Sequence, residues 1–422
     1  MNKGRVVFLF GAGSTLAWGS PLTSELTKLI RESGFKITDN NTTITEFIFQ
    51  KLLSSGYSEN DINFETIINV IEELIVYYSK FDSKHGASSL LSSLFQNKYE
   101  DQIFNFSIKD GKEIYGYQLE IPKGIEYKFS RYALNKEKPK QFFLLHLLGE
   151  ILTGISGVIS KYAYQTESLT FINAESPISK SFMHWMKVLS HTNTLRMYTL
   201  NYDRLFKILL EKIGISIFEG FDCGENVPLG GELPANITRI LSDLSCNTYY
   251  NLHGSVFWRV SNEFQNFSEM ILTPTPTIPS NDDYTVGTIE KGKPLYITNI
   301  ITGYQKAQKS VLSPFRQMQS TFDRDCCCAE KIYIIGYSFG DQHINQIIKS
   351  AIQHNKNLQL IIIDPSFVKN DVESEFIRKF FPDRQELNIS LKNVDKNLRS
   401  YFNGVFVVHT TTFEEFLKKV VC

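Results

Sequence analysis

Apolar positions along the chain fall into two rhythms, and their order predicts an architecture. Val6-Val7-Phe8-Leu9-Phe10 is a short unbroken apolar run that ends on Gly11-Ala12-Gly13-Ser14. A buried strand, a tight turn of the kind that holds phosphate and a helix start are the elements this predicts. After the break at Gly19-Ser20-Pro21 the spacing is helical to Ile30, with Thr23 or Ser24 as cap and Glu25 in the first turn. Helical spacing recurs in residues 44–53, 62–75, 142–159 and 182–189, with Asp61 or Asn63 placed to cap the second of these. Residues 113–129 alternate instead and turn about Pro122-Lys123-Gly124, which predicts a β-hairpin. The stretch from 31 to 192 is therefore mostly helical, too long for a simple crossover, and is read as an insertion with a hairpin near 113–129.

Strand grammar returns after it. Residues 194–200 end on Asn201-Tyr202-Asp203 before an apolar helix at 205–213. Residues 247–252 end on His253-Gly254-Ser255, residues 331–335 on Gly336-Tyr337-Ser338, and residues 358–363 on Asp364-Pro365. A last strand at 405–409 precedes a last helix at 413–421. In an open parallel sheet the crevice outside the strand carboxyl ends binds ligands, so these distant polar residues are expected to converge. The expected fold class is α/β, a Rossmann-like parallel sheet with a large mostly helical insertion. Residues 1–30 and 193–422 would form the sheet domain, interrupted by 31–192. The Pro-rich connection at 273–287 is expected to border the site.

Composition narrows the function classes. Lys and Arg number 44 against 45 Asp and Glu, a net charge of −1, so no basic footprint argues for direct nucleic-acid binding. No signal peptide is read at the N-terminus and no uninterrupted apolar run reaches the length of a membrane span, so a cytoplasmic protein is expected. Cys223, Cys246, Cys326-Cys327-Cys328 and Cys422 contain no C-x-x-C pair. Reduced thiols and no zinc site are expected, with the cysteine triplet structural.

Three groups carry candidate chemistry. Gly11 and Gly13 let backbone approach a pyrophosphate, or simply make a tight turn. Asn201 and Asp203, two apart at a strand end, offer an amide and a carboxylate to one ligand, or form an Asx turn capping the next helix. His253 is a base that titrates near neutrality, or a structural histidine beside Gly254.

Together the segments resemble the sirtuin superfamily in order and wording. Gly-Ala-Gly-Ser follows strand one, and Thr199-Leu200-Asn201-Tyr202-Asp203 stands for the Thr-Gln-Asn-Ile-Asp segment. Leu252-His253-Gly254 is similar to the histidine segment and Gly336-Tyr337-Ser338 to the second phosphate loop. The resemblance implies that NAD binds as substrate, with Gly11, Ala12, Gly13, Ser14, Gly336 and Ser338 on the diphosphate and Asp364 on the adenosine ribose. It implies further that Asn201 positions the ribose or attacking water, Asp203 the carboxamide region, and His253 acts as base.

Three departures narrow the resemblance to one branch. The four-cysteine zinc ribbon of sirtuin deacetylases is missing, Leu200 replaces their glutamine, and no Asp-Phe-Arg comes after Pro21. What remains resembles the sirtuin-like NAD hydrolases of bacterial antiphage defence, of the HerA-associated type. That resemblance implies NAD cleavage to ADP-ribose and nicotinamide. It also implies homo-oligomers and partnership with a HerA-type hexameric ATPase or, less often, an Argonaute protein. The helical block and the hairpin, extra to the nucleotide fold, are the expected contact surfaces. The alternatives are a protein deacylase or ADP-ribosyltransferase, and a non-catalytic sensor of NAD or ADP-ribose that serves in assembly.

Overall fold

A strand flanked by parallel neighbours on both sides and covered on both faces has no polar side to show, and Val6 to Phe10 are all buried. In the computed structural model this run lies in β1 (Gly4–Phe10), an interior strand of an eight-stranded sheet. The structure describes residues 3–37, 41–78, 100–104, 106–110, 115–121, 125–130, 139–163, 172–222, 231–261, 269–277, 286–290, 293–296, 298–302, 309–310, 312–382 and 392–420. The other strands of the sheet are β2 (Asn193–Thr199), β3 (Thr248–Asn251), β4 (Lys331–Ile335), β5 (Gln359–Ile363), β6 (Lys392–Asp395), β7 (Leu398–Tyr401) and β8 (Phe406–His409). Their spatial order is β6-β7-β8-β5-β4-β1-β2-β3.

All pairings from β8 through to β3 are parallel, and β6 and β7 add an antiparallel edge. The fold is α/β and Rossmann-like. From β1 the chain builds outward through β2 and β3, then returns to the other flank of β1 as β4, β5 and β8. The strand order reverses at β1, which places the crevice of an open α/β sheet at its carboxyl end. The strand ends are level: Gly11 N donates to Ile335 O at 2.9 Å, Leu200 N to Phe10 O at 2.9 Å and Gly336 N to Ile363 O at 3.1 Å.

Helices cover the sheet by aromatic packing. Pro177–Thr192, grouped by sequence with the insertion, lies directly on the sheet: Trp185 meets Phe8 edge-on at 5.6 Å and Phe182 meets Phe206 at 4.6 Å. The helix after the glycine turn divides in two. A 3-10 segment, Ala12–Trp18, ends on Gly19 at φ +88°, and Thr23–Arg31 starts afresh from Leu22. Leu22 rather than Thr23 or Ser24 is the cap residue, its N–H donating to Glu25 Oε2 at 2.7 Å.

The predicted insertion helices form as Ile44–Ser54, Phe64–Tyr77 and Pro139–Ala163, with Asn63 Oδ1 accepting from Glu65 N at 2.9 Å and Thr66 N at 3.1 Å. The predicted hairpin forms as Tyr115–Ile121 against Ile125–Ser130, joined by a third antiparallel strand, Ser107–Asp110. One expectation needs correction. Phe143–Ala163 is long and apolar enough to cross a membrane by length and composition, with mean hydropathy 1.6. His146, Glu150 and Lys161, together with Gly, Ser and Thr, interrupt the run and hide it from a search for unbroken apolar stretches. In the fold most of it is buried, packed on Phe64–Tyr77. Residues 278–285 of the Pro-rich connection lie outside the described residues; the preceding turn holds Thr277 N to Val256 O at 2.7 Å.

Candidate functional site

Three glycines decide how the floor of the site is built. The Gly13 N–H donates to Gly336 O at 3.0 Å, bringing the loop after β1 onto the loop after β4. A Cβ on Gly11 would lie 2.4 Å from Gly336 O, and one on Gly336 2.4 Å from the Gly13 carbonyl carbon. Gly336 also sits at φ +61°, which disfavours any side chain. The glycines thus serve first to let two loops touch backbone to backbone. With Gly13 N on Gly336 O and Ser14 N on Gly11 O at 3.0 Å, two amides of the expected phosphate turn are committed within the protein.

Above this floor opens a cleft of about 1190 Å³. Gly11, Ala12, Gly13, Asn201, His253, Gly336, Ser338 and Asp364 all line it, although the chain separates them widely. Ser14 lies beneath, its hydroxyl donating to Gly11 O at 2.7 Å. Asp203 lies beneath as well, fully buried: Oδ1 accepts from Leu205 N at 2.9 Å and Oδ2 from Tyr162 Oη at 3.0 Å. The first of these bonds closes an Asx turn that leads into the helix Leu205–Lys212, whose N-cap position is Arg204. Burial pushes the Asp203 carboxyl above its ordinary range, while the Leu205 N–H and the Tyr162 hydroxyl pull it back.

Asn201 is the hinge between floor and wall. Its Nδ2 donates to Gly11 O at 3.2 Å and to Thr15 Oγ1 at 3.3 Å, and its own carbonyl accepts from Asn251 Nδ2 at 2.9 Å. A carbonyl oxygen only accepts, so Gly11 fixes which way the Asn201 amide points and leaves Oδ1 as an acceptor for a ligand. Asp364, at the end of β5, caps the 3-10 turn Pro365–Val368 by accepting from Ser366 N at 2.8 Å.

His253 is 3% exposed. The backbone of Asn299 fills the space beside Gly254, where a Cβ would lie 2.1 Å from Asn299 O. Ile301 N donates to His253 O at 2.7 Å and Ser255 N to Asn299 O at 3.1 Å, clamping the histidine backbone. The imidazole Nε2 stands 3.0 Å from Asp341 Oδ2, and Asp341 Oδ1 stands 2.8 Å from His343 Nδ1. One ligand atom from each of His253, Asp341 and His343 lies within 4.8 Å of the others, so the trio has donors suited to a cation as well as to a proton.

Sequence reasoning stopped at Ser338 and missed Asp341 and His343. A carboxylate two residues before a histidine, directly after a glycine turn, was the available signal. It also missed the far wall, where Glu65 and Asn69 of Phe64–Tyr77 line the cleft. Tyr202 Oη meets Glu65 Oε1 at 3.3 Å, and burial raises the tyrosine hydroxyl well above its ordinary value.

Glycine loops stacked at the reversal point of a parallel sheet, with an asparagine and a histidine above them, fit the order of motifs in the sequence. Residues 195–382 match the family model of the SIR2-like domain. Over this segment the chain is similar to SIR2-like domains. The matched residues hold Asn201, His253, Gly336, Asp341 and Asp364, and β1 with its glycine turn lies before them. SIR2-like domains bind NAD. No curated protein matches the chain. Among the described residues the free cysteines are Cys246, Cys326, Cys327 and Cys328, and Cys326 is fully buried with its thiol pushed well up by burial.

Proposed function

We propose that this chain hydrolyses NAD at the bond between nicotinamide and ribose, giving ADP-ribose and nicotinamide. The observation that carries the reading is that Asn201 and His253 line the same cleft as both glycine loops and Asp364. The volume, about 1190 Å³, exceeds the roughly 300–1,000 Å³ of drug-sized ligand sites and has room for a dinucleotide. In this reading each surface of the cleft takes one part of the substrate. The glycine loops face the diphosphate and Asp364 accepts from the adenosine ribose hydroxyls. Asn201 Oδ1 orients the nicotinamide ribose or a water, and His253 takes a proton from the attacking water or a ribose hydroxyl. The bond electrons pass to the pyridinium nitrogen, neutralising it, while the oxygen of water bonds to the oxocarbenium-like ribose carbon. One proton is released per turnover.

We assign the nucleotide domain to 1–30 and 193–422 and the insertion to 31–192, with Pro177–Thr192 packed on the sheet. In the reading we favour, the protein is an antiphage effector that depletes NAD, a cytoplasmic homo-oligomer working with a HerA-type hexameric ATPase. The hairpin within 107–130 is its contact surface. Incubation of the purified chain with NAD, alone and with such an ATPase, should release nicotinamide. Asn201→Ala and His253→Ala should each lower the rate about 10²-fold or more. Undiminished release in either variant would remove that residue from the mechanism. Turnover that required an acylated peptide would favour the deacylase, and saturable nucleotide binding without turnover in any mixture would favour the sensor. Removal of the hairpin should change oligomer size or ATPase capture; no change in either would refute that contact.

A further inference from the structure

The backbone of Asp341, at the start of the helix Gln342–His354, is held by the side chain of Tyr337. The Tyr337 hydroxyl accepts from Asp341 N at 3.1 Å and meets Asp341 O at 3.1 Å, and it also reaches Asn345 Oδ1 at 3.1 Å. Asn345 Nδ2 in turn donates to Phe339 O at 2.7 Å. Phe339 has φ +58°, an uncommon conformation for a bulky residue. It is retained by its ring, packed 4.9 Å from Phe376, 5.5 Å from Phe380 and 6.2 Å from Phe367. A turn bent in this way, locked on both sides, delivers one carboxylate to one place.

That place is between two imidazoles. Asp341 Oδ2 is 3.0 Å from His253 Nε2 and Oδ1 is 2.8 Å from His343 Nδ1, so each oxygen faces a different ring at ion-pair distance. A neutral imidazole carries its proton on one nitrogen, and the partner of that nitrogen selects which. We propose that Asp341 and His343 are positioning residues for His253. Asp341 Oδ2 takes the Nε2–H, so that Nδ1 is the basic nitrogen, and His343 donates Nδ1–H to Oδ1 and stops the carboxylate from turning. No proton leaves the trio in the resting state. In turnover His253 Nδ1 gains the proton of the attacking water, and the imidazolium is balanced by the Asp341 charge until it is released to solvent. Among the described residues, Tyr202 and Glu65 also line the cleft, and Glu72, paired with Lys309, lies within electrostatic reach of Tyr202.

The kinetic part rests on the hydrolase reading, and the tautomer part does not. Nitrogen-15 spectra of the full chain labelled at histidine, at a pH where the rings are neutral, read the tautomer without NAD. Wild type should show His253 as the Nε2–H form. Asp341→Asn should mix the two forms, and His343→Gln should do so partially. With NAD, folded Asp341→Asn should lose about 10- to 100-fold in kcat, the range for partners that orient a working group, with KM little changed. The acid limb of its pH profile should move to lower pH, because a carboxylate that favoured the imidazolium is gone. An Nδ1–H form in wild type, or an unaltered tautomer in Asp341→Asn, overturns the proposal whatever the turnover. So does one equivalent of Zn²⁺ bound through the trio in the purified chain, which would make the three residues metal ligands. Absence of nicotinamide release by wild type removes only the hydrolase reading.

Discussion

Asn201 Nδ2 donates to the carbonyl oxygen of Gly11 at 3.2 Å, joining residues 190 positions apart. This one bond ties the turn after β2 to the turn after β1 and sets the amide that faces the cleft. Asn201→Asp keeps the shape but turns an oxygen toward an oxygen. We expect it to destabilise the fold by about 1–3 kcal/mol and to lower NAD turnover about 10²-fold. Thermal unfolding and a nicotinamide assay read the two effects separately, and full activity would show that the amide only spaces the loops.

Gly336→Ala should be worse for stability than for chemistry. Its Cβ would meet the Gly13 carbonyl carbon at 2.4 Å, and its φ of +61° adds strain. A loss of about 1–3 kcal/mol is expected, the usual range for overpacking, together with weaker nucleotide binding as the two loops part. Denaturant unfolding with wild-type stability would mean that the loops are not in contact in solution.

Asp203→Ala separates scaffold from chemistry. The Asx-turn hydrogen bond lost is worth about 0.5–1.5 kcal/mol, and the buried Tyr162 hydroxyl loses an acceptor. Turnover per folded molecule should survive, since the side chain lies beneath the cleft. A folded variant with kcat reduced 10²-fold would return Asp203 to the reacting groups.

Lys309 is 2% exposed and its Nζ lies 2.6 Å from Glu72 Oε2, joining the segment before the helix Phe315–Cys327 to the cleft-lining helix. Removing one partner strands a buried charge. Lys309→Met should therefore cost about 3–5 kcal/mol, and the double change with Glu72→Met should recover most of it. Unfolding midpoints of the three variants test this, and additive losses would deny the coupling.

His409 has its pKa lowered to about 4 by burial and then by Lys419. The folded value lies below the ordinary 6.5, so the unfolded chain binds the proton first as pH falls. Stability from this group is full above about 6.5 and is lost as pH falls through about 4. His146, lowered to about 4 by burial, acts in the same direction. His409→Phe, which keeps a ring against Phe416, should flatten part of the acid loss in melts between these limits. An unchanged pH slope would show that His409 is solvated in the native state.

Strands were legible wherever burial on both faces left an unbroken apolar run, as in β1 and β5, and strand ends were legible because polar residues come abruptly after them. Helix starts were less so. Leu22 caps Thr23–Arg31 because Glu25 reaches back to its backbone, and no rule that looks for Ser or Thr at the cap finds it. The apolar length of Phe143–Ala163 was underestimated because His146, Glu150, Lys161 and small polar residues divide a stretch that the fold mostly buries.

For the site, the sequence by itself determined that glycine turns, an amide, an imidazole and carboxylates come after the strands of one sheet, because that order is written in the chain. The tertiary structure decided what each does. It placed Gly11 against Gly336, turned Asp203 inward to an Asx turn, and brought Asp341 and His343 to His253. The reason is that strand order places β1 between β2 and β4, which are far from it in the chain. Contacts across that crevice depend on loop backbones meeting within a few ångströms, a property that spacing along the chain does not carry.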